Sequence, residues 1–334
     1  MRKKHQVGVI GCGVIWNAHW KALQSVAAEI KVRYVYDVQA DRTEKAAKES
    51  GAKGLTDPDE IFDDRDVDIV AILTPPFARV EYVTRACAVG KHLMLEKPMA
   101  RTIEQALQIF HAVQKSGAKC FIPFGRAVNK NWQRVVEIVQ SGDLGAPHAF
   151  VHTALGTPYS WVPLDHWMHD QERSGGPIFD YSIHFIEFAR ACMGAEAREV
   201  AYAAGITTGR VKSDDHATLF IYYDGDGIGQ FTKSWTFPPG IQSAHHEVTH
   251  VVCDAGVISV GKKIELFTDR GVTEFEPMQA DSGRAESYRN LIAAIEEDTP
   301  LYANELNGLR MNEILDAALR SRESGYKEPV SLHE

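Results

Sequence analysis

Short, largely apolar runs separated by helical patterns fill the first third of the chain, and they constrain its fold more than any other feature. Residues 7–10, 32–36, 67–73, 92–95 and 120–124 are strand candidates, and 102–114 carries Ile103, Ala106, Leu107 and Phe110 at helical spacing. A strand that is apolar at successive positions is covered on both faces, as in a parallel sheet with helices on either side. The expected unit is a doubly wound parallel α/β sheet. Ligands of such sheets bind outside the carboxyl ends of the strands, so the residues that follow each run carry the functional information.

The first run ends in Ile10-Gly11-Cys12-Gly13-Val14-Ile15-Trp16, a strand entering a glycine turn and then a helix. Gly11 permits the tight turn, and Gly13 with the following Val14 and Ile15 lets backbone N–H groups approach a pyrophosphate at the positive end of the helix. Trp16 stands where a third glycine would keep helix and strand close, so its ring must turn aside or widen the packing. The second run ends at Asp37, 24 residues after Gly13, near the roughly 20 expected for an acidic residue on an adenosine ribose. A carboxylate there accepts from both ribose hydroxyls and repels a 2′-phosphate, which favours NAD over NADP. Arg42 suits a phosphate and keeps NADP open. The plainer role for Asp37 is to start a turn or cap the next helix. Thr74, Pro75 and Pro76 close the run of 67–73, since two prolines cannot continue a ladder. Glu96-Lys97-Pro98 closes that of 92–95, which places the Lys97 ammonium at the ligand-binding edge.

After residue 124 the texture changes, so the 334 residues divide into a dinucleotide-binding domain, 1–124, and a substrate-binding and oligomerisation domain, 125–334. Helices are expected at 131–140 and 177–192. Strands follow at 217–223, 229–237, 248–253, 257–260 and 263–267, then two terminal helices, at about 288–295 and 304–324. The sheet here should be open and largely antiparallel. Asp180 and His184, four apart on the second of these helices, share a face. A lone helical histidine is ordinarily a packed structural residue, and Asp180 could simply complement a helix dipole.

A net charge of −9 with no basic block beyond Arg2-Lys3-Lys4 speaks against nucleic acid. The five cysteines lie far apart, without spacing for zinc or a disulfide framework, which fits a reduced, cytoplasmic setting. No run reaches the roughly 20 apolar residues of a membrane span, and the amino terminus lacks the features of a signal peptide.

Gly11-x-Gly13, Thr74-Pro75-Pro76, Gly90-Lys91-His92 and Glu96-Lys97-Pro98, followed by 141–145 (SGDLG) and Gly175-Gly176-x-x-x-Asp180-x-x-x-His184, resemble the Gfo/Idh/MocA oxidoreductase family over nearly the whole chain. The resemblance implies an N-terminal Rossmann domain and a C-terminal α/β domain with an open, largely antiparallel sheet, whose outer face commonly mediates oligomerisation, here as a dimer or tetramer. It implies NAD-dependent oxidation of a secondary hydroxyl of a sugar, inositol or related polyol, with Lys97, Asp180 and His184 as the catalytic set. It also implies a cis Lys97-Pro98 bond. On this reading His184 is the general base and Lys97 stabilises the alkoxide; with its pKa depressed, Lys97 would itself take the proton. Asp180 would hold a neighbouring hydroxyl or tune the other two groups. Arg79, Met168 and Pro177 depart from the family pattern and bear on the substrate more than on the fold.

Arg126, Tyr159, Trp161, His166 and Trp167 are further substrate candidates, since aromatic faces suit the C–H side of a sugar ring. Loop aromatics also simply pin loops. Lys233 and Trp235 share one face of a strand, which could equally be an oligomer interface. His245, His246 and His250 complete no metal spacing, so no metal is expected. Two other activities fit the same landmarks: a glycosidase that oxidises its sugar transiently with bound NAD, and a non-catalytic sugar or dinucleotide sensor.

Overall fold

A computed structural model describes residues 4–158, 162–238, 241, 246–261, 263–275 and 283–334. In chain order its elements begin with β1 (His5–Ile10), α1 (Trp16–Ser25), β2 (Ile30–Tyr36), α2 (Ala40–Ser50), β3 (Lys53–Gly54), α3 (Asp59–Asp63), β4 (Val67–Ile72), α4 (Val80–Ala88), β5 (His92–Leu95), α5 (Ile103–Ser116), β6 (Cys120–Phe121) and α6 (Gly125–Val128). Next come α7 (Lys130–Gln140), β7 (Pro147–Leu155), α8 (Gln171–Ser174) and a π-helical turn (Ile178–Ser182) that runs into α9 (Ile183–Met193). Then follow β8 (Ala197–Gly205), β9 (His216–Tyr223), β10 (Ile228–Ser234), β11 (His246–Cys253), β12 (Gly256–Val260), β13 (Ile264–Thr268), β14 (Gly271–Phe275), α10 (Arg284–Glu297), α11 (Glu305–Ser324) and β15 (Glu328–Pro329).

The chain divides into two compact units, Met1–Val128 with Asp281–Leu309 and Asn129–Ala280 with Arg310–Glu334. The returning segment is what distinguishes this division from the 1–124 and 125–334 read from the sequence. Within the first unit α10 packs on α1, and the Ile122 N–H donates to the Ala303 carbonyl at 3.1 Å. That bond draws the chain out of the sheet, so β6 stops at Phe121 although the apolar run continues to residue 124.

The first sheet has the order β3-β2-β1-β4-β5-β6 with every pair parallel. Strands β1, β4 and β5 are buried over nearly their whole length, as continuous apolar runs require. Two-residue β3 has no apolar signature, and the sequence reading omits it. Strand order reverses between β1 and β4, so the crevice at their carboxyl ends is where a nucleotide is expected.

In the second unit nine strands form one mixed sheet, β14-β13-β12-β11-β7-β10-β9-β8-β15. All pairs are antiparallel except β10 with β7. Strand β7, absent from the sequence reading, occupies the centre, and β8, β14 and β15 are further additions. Pairing fixes which residues share a face: His152 and Ala154 stand beside Phe231 and Lys233 on one side and Thr249 and Glu247 on the other. Helix α9 packs on β7 and β10. Phe188 meets Phe150 edge-on at 5.5 Å and Trp132 at 4.6 Å, and Phe150 stacks on Phe231 at 5.6 Å.

Phe150 is fully buried at the centre of this cluster, and truncation would leave a void that the surrounding rings cannot fill. We expect Phe150→Ala to lower the unfolding free energy by about 3–5 kcal/mol, read by chemical denaturation; a loss below about 1 kcal/mol would contradict the packing.

Candidate active site

The carboxyl edge of the first sheet gathers most of the residues singled out for cofactor binding. Gly11 has φ 99°, and a β-carbon there would lie 2.8 Å from the Thr74 nitrogen and 2.9 Å from the Leu73 carbonyl carbon. The loops after β1 and β4 therefore close on each other only because residue 11 has no side chain. A β-carbon on Gly13 would meet only the Arg42 guanidinium, at 3.7 Å, which places this cation beside the turn. Trp16 does turn aside: it is buried, its indole N–H donates to Glu49 of α2 at 2.9 Å, and its ring stacks on Trp20.

Asp37 ties the edge together. Its Oδ2 accepts from the Cys12 N–H at 2.8 Å and its Oδ1 from the Gln39 N–H at 2.9 Å. The turn-starting role is therefore real, and a carboxylate with about four acceptor positions retains capacity for ribose hydroxyls. Thr74 Oγ1 is buried and has no hydrogen-bond partner among the described residues, an orphan that a bound polar ligand would satisfy. The open cradle at Gly13, the orphaned hydroxyl and the acidic strand end fit a dinucleotide.

The turn after β5 is held from behind. Lys97-Pro98 is cis, and Lys97 is part-exposed while Glu96 is 3% exposed. Glu96 Oε1 pairs with His19 Nε2 at 2.9 Å, His19 Nδ1 meets the Tyr288 hydroxyl at 2.9 Å, and Glu96 Oε2 accepts from the Lys97 N–H at 3.0 Å. Burial alone would raise the Glu96 pKa; the His19 hydrogen bond and the charges of His19, Arg284 and Lys97 outweigh it and hold the carboxyl well below the usual carboxylate range. Arg79, a departure from the family pattern, is no surface or substrate group. Its buried guanidinium donates to the Thr74 carbonyl at 2.9 and 2.6 Å and also to the Glu96 and Pro98 carbonyls, pinning both loops. Burial pushes it down to about 10, with Glu96 pulling the other way, so it remains a cation at neutral pH.

In the second unit Gly175 (φ 84°) ends α8, and Pro177 caps the π-helical turn, where its missing N–H costs nothing. Asp180 lies in that turn and His184 in the first turn of α9. The uniform α-helix read from the sequence is thus wider at Asp180, and π-turns of this kind are frequent at functional sites. Tyr181 donates its hydroxyl to Glu247 Oε2, and the Lys233 ammonium sits 4.1 Å from the Tyr181 ring centre. Lys233 and Trp235 are 3% and 0% exposed, so the face they share is an interior one and not an open interface.

Other candidates gather less support. Trp167 and His166 are half-buried neighbours in and before a short 3-10 turn, where His166 Nδ1 accepts from the Met168 N–H. Arg126 lies in α6, without a described side chain; Tyr159, Trp161 and His245 lie outside the described residues. A cavity of about 290 Å³ beside Gln114, Lys119 and Glu305 sits at the start of β6, the edge opposite the glycine turn. The sequence reading missed His19, Tyr288 and Arg79 as partners of the lysine turn. For His19 a signal existed, since Trp16, His19, Ala22 and Leu23 form the buried face of α1, and a polar residue on such a face must find a partner.

The first unit has the architecture of a dinucleotide-binding sheet, and the second is a large mixed sheet. Residues 5–124 match the oxidoreductase family model with an NAD-binding Rossmann fold, and 132–259 match the GFO/IDH/MocA C-terminal domain. The chain belongs to the Gfo/Idh/MocA oxidoreductase family, and its first unit is the NAD-binding domain. It is 28% identical over 206 residues to the uncharacterized oxidoreductase YrbE of Bacillus subtilis (strain 168), covering 61% of this chain and 58% of that protein. It is 27% identical over 268 residues to scyllo-inositol 2-dehydrogenase (NAD(+)) of the same organism, covering 77% of this chain and 75% of that one. The fold matches levoglucosan dehydrogenase, solved with NADH, at a TM-score of 0.86 and 20% identity, covering 98% of this chain and 100% of that one. Among the described residues no helix is long and apolar enough to cross a membrane.

Two expectations follow. Because the Glu96 pKa is depressed in the folded state, its contribution is complete above the unfolded carboxylate value of about 4.3 and is lost as pH falls toward the folded one. Glu96→Gln should therefore destabilise the protein by about 3–5 kcal/mol at neutral pH, with the gap from the unsubstituted chain closing below about pH 4; a pH-independent gap in thermal or urea unfolding would refute the charge assignment. Asp37→Ala should weaken NAD binding by about tenfold or more, measured by calorimetry, and narrow the preference over NADP; unchanged affinities would remove Asp37 from the cofactor site.

Proposed function

We propose that the chain oxidises a secondary hydroxyl of a sugar, inositol or related polyol to the ketone, or runs the reverse reduction. NAD, when bound, supplies the acceptor for the hydride leaving the carbinol carbon. Support for the cofactor comes from the carboxyl edge of the first sheet: the Gly11 to Ile15 turn for the pyrophosphate, Asp37 for the ribose, Arg42 beside the turn, and the Thr74–Pro76 loop with its orphaned hydroxyl. Support for the substrate class comes from family membership and from the inositol dehydrogenase similar to this chain.

The observation that carries the reading is Lys97 itself, set at the end of a strand buried from Leu93 to Leu95; the buried Glu96 carboxylate accepts from its N–H, and the buried Arg79 guanidinium holds the Glu96 and Pro98 carbonyls on either side. So anchored, its ammonium donates to the substrate oxygen and stabilises the developing alkoxide. His184 takes the hydroxyl proton, being the side chain whose ordinary pKa lies nearest neutrality. Asp180 accepts from a neighbouring hydroxyl and so selects vicinal polyols. Trp167 and Arg126 complete the substrate contacts. We place the enzyme in the cytoplasm, where NAD is abundant and its five cysteines, none in a disulfide, stay reduced. The open face of the second sheet, with Phe220, Ile228 and Phe267 exposed on it, is the surface through which the chain forms a homo-oligomer.

The test is formation of reduced nicotinamide, followed by near-ultraviolet absorbance across inositols, aldoses and their anhydro derivatives, with product analysis. Net NADH and a ketone are expected; a released sugar without net NADH would replace this reading with the glycosidase. Lys97→Ala and His184→Ala should each lower kcat by about 10²–10⁴-fold while NAD affinity stays within a few-fold. A fully active Lys97→Ala enzyme would overturn the assignment.

A further inference from the structure

The inner face of the second sheet should be apolar where the helices cover it, yet it carries Lys233 on β10 and Glu247 on β11, each paired in register with Ala154 of β7 between them. Lys233 is 3% exposed. A cation so buried persists only if it is compensated, and the compensation here comes from Glu247 of β11 and from the π-helical turn. The π-helical turn packs on β10 and lays the Tyr181 ring over the ammonium at 4.1 Å. The Tyr181 hydroxyl reaches Glu247, so ring, cation and carboxylate form one linked group. Asp180, the residue before Tyr181, adds the second negative charge that acts on Lys233.

We propose that Lys233 is a positioning residue for the alcohol-handling groups: its buried ammonium, held by the Tyr181 ring and by the Glu247 and Asp180 carboxylates, pins the π-helical turn to the sheet and so fixes the orientation of Asp180. This rests on the reading of Asp180 as a substrate-binding residue. The device is sensitive to pH. Burial pushes the ammonium down to about 8, with Glu247 and Asp180 pulling it back up. Every element packed around it contributes to its surroundings: Asp180 and Tyr181 from the π-helical turn, Glu247 from β11, His152 two residues from Ala154 on the same face of β7, and His184 from the first turn of α9. Strand β9 brings only Ala217 opposite Lys233. Above about pH 8 the pin loses its charge, and the turn loses what holds it.

Two measurements on the full-length protein test this. In protein labelled with ¹³C at the lysine ε-carbons, the signal missing from Lys233→Met should titrate near pH 8, and its midpoint should fall in both Glu247→Gln and Asp180→Asn. A midpoint unmoved by either substitution overturns the pin, whether or not the enzyme turns over a polyol. In kinetics with a polyol that supports turnover, kcat/KM should decline above about pH 8 in the unsubstituted enzyme. Lys233→Arg should retain activity and lose that decline, and Lys233→Met should fall ten- to hundredfold at pH 7 with NAD affinity unchanged. A Lys233→Met enzyme with undiminished kcat/KM, or a Lys233→Arg enzyme that still declines near pH 8, overturns the proposal. Absence of turnover on every polyol, with the lysine titration as expected, would instead sink the proposed activity and leave the pin standing.

Discussion

A single buried carboxylate organises the first unit. Glu96 has almost no contact with solvent, and an ion in that position must gather donors and cations or be neutralised. It draws His19 from α1, the backbone of Lys97 from its own turn, Tyr288 through His19, and the charge of Arg284. The farthest of these partners, Tyr288, lies 192 residues further along the sequence, and together they explain why α10 belongs with the dinucleotide-binding sheet. The same network leaves the neighbouring lysine backbone little freedom, which is what a group that must meet a reacting oxygen requires.

Arg79 performs the matching task on the other side of the turn. By donating to carbonyls of Thr74, Glu96 and Pro98, it binds the loop after β4 to the loop after β5. Gly11 brings the loop after β1 against the loop after β4. Three neighbouring strand ends are thus fastened by one absent side chain and one buried guanidinium. A cofactor edge built this way is preorganised, so little of the binding energy need be spent on ordering it. The second unit uses a comparable device of opposite sense, a cation on the sheet and carboxylates from the elements that flank it.

Much of the first unit is legible in the sequence because a parallel strand covered on both faces writes itself as a largely apolar run, as β1, β4 and β5 do; β2, interrupted by Lys31 and Arg33, does so less clearly. Glycine turns and paired prolines are equally legible, since each has one backbone use. The second unit is harder to read. Central β7 carries His148, His152 and Thr153, and β8 is rich in alanine, so neither shows a hydrophobic alternation; buried His152 finds its partner in Thr249, far along the sequence. The widened turn at Asp180 leaves no local mark either, because i, i+4 spacing reads as an ordinary helix. Arg79 reads as a substitution at a substrate position, whereas its hydrogen bonds all go to backbone carbonyls, which a sequence does not display. The lysine at the end of β5 and the acidic residue at the end of β2 were legible as positions, and their neighbours were not.

In the proposed reaction a carbon-bound hydrogen of the substrate passes directly to the cofactor. The most direct measurement is isotopic: a polyol deuterated at the carbinol carbon is incubated with the enzyme and NAD, and the nicotinamide product is examined by proton NMR and mass spectrometry. Direct transfer leaves one deuterium at C4 of the nicotinamide, on a single face, with the matching ketone as the other product. Reduced cofactor free of deuterium, or deuterium retained in an oxidised product, would contradict it.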